Sequence, residues 1–208
     1  MKKCMVAGWF LILFFQAVAE DVVRDDFSGT TLGGRWVKAD PANEWKITGN
    51  ALFVNTEKSP AILCCTAPEL SKSFSLSVDV TLNLANTWSG VVIHFQDVNN
   101  YYAVRIKSNC RDYQVLRVKE GRTAVLLKGS ARKPFLPGHS YTLGVTSDAP
   151  FVFNVSIARA GDTELLNPNH IAQDFTQSLS GGTIGLYSGS TSPANPDAVF
   201  DNVIFTTF

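Results

Sequence analysis

Apolar and polar residues alternate strictly along two parts of this chain. Phe74, Leu76, Val78, Val80, Leu82 and Leu84 interleave with Ser75, Ser77, Asp79, Thr81 and Asn83. Phe151, Phe153, Val155 and Ile157 interleave with Val152, Asn154, Ser156 and Ala158. Successive side chains of an extended strand point to opposite faces, so this period of two predicts β-strands with one dry and one wet side. Shorter runs of strand composition cover residues 45–48, 51–55, 91–96, 101–107, 113–119, 124–128, 141–146, 183–188 and 198–205. Turn residues separate them at Gly49-Asn50, Val98-Asn99-Asn100, Glu120-Gly121, Pro137-Gly138, Asp148-Ala149-Pro150 and Ser180-Gly181-Gly182. No long stretch has apolar residues at helical spacing; at most one helical turn is predicted near residues 171–177. The pattern predicts an all-β chain folded as a two-sheet antiparallel jelly-roll sandwich, the length favouring a jelly roll over a smaller immunoglobulin-like unit.

The first residues break this pattern. Lys2-Lys3 precede an apolar run from Val6 to Phe15, then Gln16-Ala17-Val18-Ala19, in the order of a secretory signal peptide. The run of about ten residues is too short to span a bilayer, which takes roughly 20. Cleavage is therefore expected after Ala19, leaving residues 20–208 as a single domain, secreted or periplasmic, with no membrane span. Without Lys2 and Lys3, 16 basic residues remain against 18 acidic. That balance excludes an electrostatic case for nucleic acid. Removal of Cys4 leaves Cys64, Cys65 and Cys110. An odd number means at least one cysteine outside an intramolecular disulfide, and both burial of the adjacent pair and one bridge to Cys110 remain open.

Candidate chemistry comes from aligning hairpins so that apolar residues share a face. Pairing Gln96 with Tyr101 across the turn at Asp97 to Asn100 places Val91, Ile93 and Phe95 opposite Ile106, Val104 and Tyr102, as core. Pairing Val104 with Leu116 extends the opposite face into the next strand. That face is then expected to collect His94, Gln96, Tyr101, Arg105, Tyr113 and Arg117 as ligand-binding residues. Rings that stack on sugar CH faces, beside planar polar groups that bond hydroxyls or carboxylates, are what carbohydrate recognition needs. The plain alternative is an ordinary solvated sheet face. Trp88 is read as core or edge packing rather than as a stacking platform.

The stretch from Ser89 to Ile106, with its Gly-initiated strand, Asp97-Val98-Asn99-Asn100 turn and Tyr101-Tyr102 opening the return strand, resembles the central hairpin of concanavalin A-like lectin/glucanase domains of the laminin-G jelly-roll kind. Asp25-Asp26-Phe27-Ser28-Gly29, Gly182 to Tyr187, and Val199-Phe200-Asp201-Asn202-Val203 are similar to the first and last strands of such domains. The resemblance implies fold more strongly than activity, because the superfamily holds binding modules and enzymes alike. It also implies a structural calcium where the first and last strands meet, with Asp201 and Asp26 as ligands.

Catalytic readings fare less well. A retaining glycosidase needs two carboxylates roughly 5 Å apart, and the Glu-x-Asp-x-x-Glu run that the resemblance implies for glucanases is missing. Asp162 and Glu164, in Gly-Asp-Thr-Glu, read as a turn. Ile93-His94 is similar to the Gln-x-His strand motif of jelly-roll polysaccharide lyases, but Val92 stands where the Gln belongs. No Gly-x-Ser-x-Gly elbow is present. The expectation is a non-catalytic, lectin-like domain whose partner is a polysaccharide or other glycan. A polysaccharide lyase or other glycan-degrading enzyme, with His94 active, and a laminin-G-like adhesion module binding protein are the alternatives.

Overall fold

A computed structural model describes residues 22–56, 59–66, 70, 73–159, 170–176, 178–189 and 197–208. The expected signal peptide and the Asp162/Glu164 turn lie outside the described residues. Among the described residues there are fifteen strands and no helix. They run in chain order as β1 (Val22–Asp25), β2 (Trp36–Lys38), β3 (Glu44–Thr48), β4 (Ala51–Asn55), β5 (Ala61–Cys65), β6 (Phe74–Leu82), β7 (Trp88–Asp97) and β8 (Asn100–Lys107). Then follow β9 (Cys110–Lys119), β10 (Arg122–Phe135), β11 (His139–Ala149), β12 (Val152–Arg159), β13 (Ile171–Gln173), β14 (Thr183–Ser188) and β15 (Ala198–Thr207). Two antiparallel sheets result, so the two-sheet jelly-roll sandwich stands. One has the order β13-β12-β11-β6-β15-β4-β3 with β1 joined to β15; the other is β10-β9-β8-β7-β14-β5-β2.

The alternating strands behave as their pattern dictates. Phe74, Leu76, Val78, Val80 and Leu82 of β6 are buried between the sheets, while the intervening Ser75, Ser77, Asp79 and Thr81 are partly exposed. Three elements differ from the sequence reading, among them β2, whose three residues are too few to show an alternation. The segment expected to form a helical turn starts with the short strand β13, which pairs with β12. Strand β5 was not anticipated because all five of its residues are buried; a strand covered on both faces is continuously apolar and loses its alternation.

The final strand serves two neighbours in turn. Ala198–Phe200 pair with β4 and the half from Val203 onward pairs with β1, with a register shift after Asp201 and a left-handed Asn202 between them.

One carboxylate ties the sheets together. Asp174, 2% exposed, follows β13 of the eight-stranded sheet and accepts from Tyr102 Oη at 2.6 Å and Arg117 Nη1 at 2.8 Å, both from the seven-stranded sheet. Thr176 N and Oγ1 and Ser178 Oγ complete its bonds at 3.0, 2.7 and 3.1 Å. Burial alone raises a carboxyl pKa, but the hydrogen bonds from Thr176, Tyr102 and Arg117 outweigh it and hold Asp174 far below the usual carboxylate range.

A folded pKa below the unfolded value of about 3.9 makes this a contribution that is present above that pH and lost as pH falls through the folded value. Asp174→Ala leaves Tyr102 and Arg117 without their acceptor and is expected to cost about 3 kcal/mol in urea unfolding at neutral pH. Asp174→Asn is expected to flatten the loss of stability below about pH 4.

Candidate functional site

The register of the central strands decides which side chains meet. Between β8 and β9, Val104 lies opposite Val115, and Arg105 opposite Gln114. The sequence alignment paired Val104 with Leu116, one residue further on. A slip of one residue moves a whole strand to the other face, so Tyr113 and Arg117 point into the sandwich while Gln114, Leu116 and Val118 face outward. Tyr113 is 1% exposed and bonds His170; Arg117 pairs with Asp174.

Strand β7 carries a second correction. Asp97 faces Asn100 but Ile93 faces Tyr102, so two extra residues of β7 bulge out, with His94 at φ 49°. The bulge turns His94 inward, within ring contact of Phe74, Tyr102, Phe151 and Phe153, and sends Phe95 outward to Tyr101 at 6.1 Å. The alignment had these two the other way round. His94 Nδ1 meets the Gly181 carbonyl at 2.8 Å, and Gln96, at the exposed strand end, donates to Ser180 O at 2.7 Å. Of the six expected ligand residues, the structure keeps Tyr101 and Arg105 together on the outer face.

That outer face is built in rows across the strands. One row runs Gln114, Arg105, Gly90, Tyr187, Ile62. The next runs Leu116, Ala103, Val92, Gly185, Cys64. The second row is apolar and almost fully buried although it lies outside the sandwich; with Tyr101, Val118 and Ile62 it forms a second apolar cluster, against which Trp88 and Phe95 pack.

Arg105 is the polar centre of this face. Its Nε and Nη2 donate to Gln114 Oε1 at 3.2 and 2.8 Å, and its Nη1 donates to Tyr187 Oη at 2.8 Å. The guanidinium carbon lies 4.4 Å from the Trp88 ring centre and 5.8 Å from that of Tyr187, within cation–π range. Gly90 separates Arg105 from Tyr187 in the row. A Cβ there would fall 2.1 Å from Val104 O and 2.8 Å from Arg105 Cα, so glycine is what lets the two strands close up beneath the Arg105–Tyr187 bond. Burial pushes the Tyr101 hydroxyl up, the neighbouring Tyr187 adds to this and Arg105 opposes it, so Tyr101 contributes a neutral ring.

Trp88 belongs to this platform, and Gln114 and Tyr187 were missed altogether. Gln114 emerges only from the correct register. Tyr187 emerges only from the pairing of β14 with β7, which are distant in sequence.

The implied calcium ligands do come near one another, since β1 pairs with the half of β15 that follows Asp201. Their oxygens, however, are directed to protein groups. Asp25 accepts from Phe27 N and Trp36 Nε1, Asp26 from Ser28 N, Asp201 from Asn202 N, and Asp79, opposite Asp201, from Thr142 Oγ1 and Asn202 Nδ2. Among the described residues no group of three or more His, Cys, Asp or Glu side chains is placed to hold an ion. The carboxylates nevertheless lie close together: burial first, and then the charges of Asp79, Asp26 and Asp25, push the Asp201 carboxyl up.

Among the described residues Cys64, Cys65 and Cys110 are free thiols. Cys64 faces outward and Cys65 inward on β5; burial, with a smaller contribution from Cys65, pushes the Cys64 thiol up to about 12.

Comparison with solved structures places the fold among known sandwiches. The carbohydrate-binding module CBM66 from Bacillus subtilis superposes with a TM-score of 0.61 at 15% identity, covering 81% of this chain and 91% of that one. The Ca2+/Man2-bound exoplasmic/lumenal domain of VIP36 gives 0.60 at 12% identity, covering 90% and 87%. The Bacteroides ovatus xyloglucan PUL GH43B gives 0.65 at 21% identity, covering 89% of this chain but 39% of that one, so the match is to part of that protein. At these identities the likeness is one of fold. No family model and no curated protein matches the sequence.

Two outcomes follow from the site. In denaturant without reductant, mass mapping is expected to find Cys64, Cys65 and Cys110 all alkylated, while Cys64 and Cys65 resist alkylation in the native protein. Burial lowers the His94 pKa against the opposing Gly181 carbonyl, and a group depressed in the folded state stabilises above its unfolded pKa of about 6.5. Unfolding free energy is therefore expected to fall as pH drops below about 6.5. His94→Asn, which tolerates the left-handed backbone, is expected to flatten that slope.

Proposed function

We propose that this protein is an exported, non-catalytic carbohydrate-binding domain that docks a glycan on the outer face of its seven-stranded sheet. One observation carries the reading: Arg105 is fixed between Trp88, Tyr187 and Gln114 beside the buried apolar row of Leu116, Ala103 and Val92. Fixed planar donors beside aromatic rings are the elements by which proteins hold sugars, the rings taking the CH face and the donors the hydroxyls or acid groups. The fold agrees with this, since structures similar to it include a carbohydrate-binding module and a Man2-bound lumenal domain. The lyase alternative requires an accessible His94, and this histidine is 8% exposed, turned between the sheets and held neutral by burial.

A polysaccharide array, run with calcium and with a chelator and scored for both retention and new sugar ends, tests the proposal. Retention without release is expected, and Trp88→Ala is expected to weaken it about tenfold through loss of stacking. Release of new ends overturns the non-catalytic assignment; silence in both channels overturns the glycan and turns attention to a protein ligand.

A further inference from the structure

The bonding of Arg105 is incomplete in a specific way. A guanidinium carries five N–H donors. Three are used, Nε and one hydrogen of Nη2 on Gln114 and one hydrogen of Nη1 on Tyr187. One N–H on each terminal nitrogen has no acceptor among the described residues. Both acceptors in use are neutral, so the guanidinium is held in place with no carboxylate paired to it among the described residues. Arg117, one strand away and pointing inward, shows the contrasting arrangement, with the carboxylate of Asp174 at 2.8 Å.

The surroundings strengthen what Arg105 can attract. The adjoining row of Leu116, Ala103 and Val92 is buried, which lowers the local dielectric and raises the value of an incoming opposite charge. Trp88 stacks on the guanidinium and fixes its plane, so little side-chain freedom is lost when a ligand binds. Two further cations share the face: Lys107 Nζ lies 5.9 Å from the Trp88 ring centre, and Lys128 stands opposite Gln114 on β10. Asp112 alternates onto the same face two residues before Gln114.

We infer that the glycan docked on this face is acidic, with a carboxylate or sulfate ester of one sugar unit accepting the two remaining Nη hydrogens of Arg105 while that ring or its neighbour lies against Trp88. This rests on the carbohydrate-binding reading above and narrows it to polysaccharides bearing uronic acids or sulfated sugars. Paired N–H donors on an anion are shorter and roughly twice as strong as neutral hydrogen bonds.

Affinity electrophoresis of the purified protein tests the inference in gels containing polygalacturonate, its carboxyl-reduced neutral counterpart, a neutral glucan, chondroitin sulfate or polyaspartate. Stronger retardation by polygalacturonate or chondroitin sulfate than by the neutral polymers or polyaspartate is expected, and which of the two acts distinguishes carboxylate from sulfate. Arg105→Gln is expected to weaken that binding about tenfold or more with an unchanged circular dichroism spectrum. If R105Q does not fold, competition against the wild-type complex replaces it, the free acidic sugar displacing the polymer and its neutral analogue failing to. Equal retardation by polygalacturonate and its reduced form, equal retardation by polyaspartate, or an undiminished R105Q overturns the acidic ligand. Binding to the neutral polymers in those cases leaves the carbohydrate-binding reading intact, whereas no retardation by any sugar polymer removes both.

Discussion

The register of β7, β8 and β9 decides what each face of the seven-stranded sheet presents, and most of the functional geometry depends on it. With Val104 opposite Val115, the side chains of Tyr113 and Arg117 enter the sandwich and Gln114 leaves it. The two-residue bulge near His94 then resets β7 against β8, so that Tyr101 lies beside Phe95 outside and Tyr102 beside His94 inside. A bulge re-aims side chains at the cost of local ladder bonds. Here the inward-turned His94 recovers a bond from the Gly181 carbonyl and ring contacts from four aromatic neighbours.

This arrangement separates two uses of arginine. Arg117 meets a buried carboxylate that also takes the Tyr102 hydroxyl, and the group fastens the eight-stranded sheet to the seven-stranded one. Removing one partner of such a buried pair is costly because the other charge is left uncompensated. Arg105, on the opposite side of the same sheet, meets neutral acceptors and an indole plane among the described residues. The first arginine is consumed by the fold; the second is oriented by it on the outer face.

The two sheets also differ on their outer faces. The eight-stranded sheet shows Ser75, Ser77, Asp79 and Thr81 to solvent, the ordinary wet side of an antiparallel sheet. The seven-stranded sheet carries a second apolar cluster there, with Val92 and Ala103 fully buried among their neighbours. Side chains that cover one another on an outer face make a dry floor, and Trp88, Arg105 and Gln114 rise from it half-exposed. Similarity to sandwiches as different as a binding module and part of a GH43 protein identifies the scaffold, and the chemistry is then a matter of what stands on that floor.

The sequence by itself determined the all-β class, the antiparallel sandwich and most strand positions, because one wet face imposes a period of two that is readable residue by residue in β6 and β12. It also marked Arg105 and Tyr101 as face residues. The tertiary structure decided the rest of the site, and the reason is the same dry outer face. Where Val115 and Leu116 are both buried, on opposite sides of one sheet, apolar pattern no longer distinguishes a register from its neighbour one residue away. Strand β5, buried throughout, lost its alternation for the same reason. Tyr187 reaches Arg105 only because β14 pairs with β7 across a long chain separation, and the left-handed turn at His94 reverses a side chain whose sequence neighbours alternate normally. Local pattern fixes which residues are extended; pairing between distant strands fixes which of them share a face.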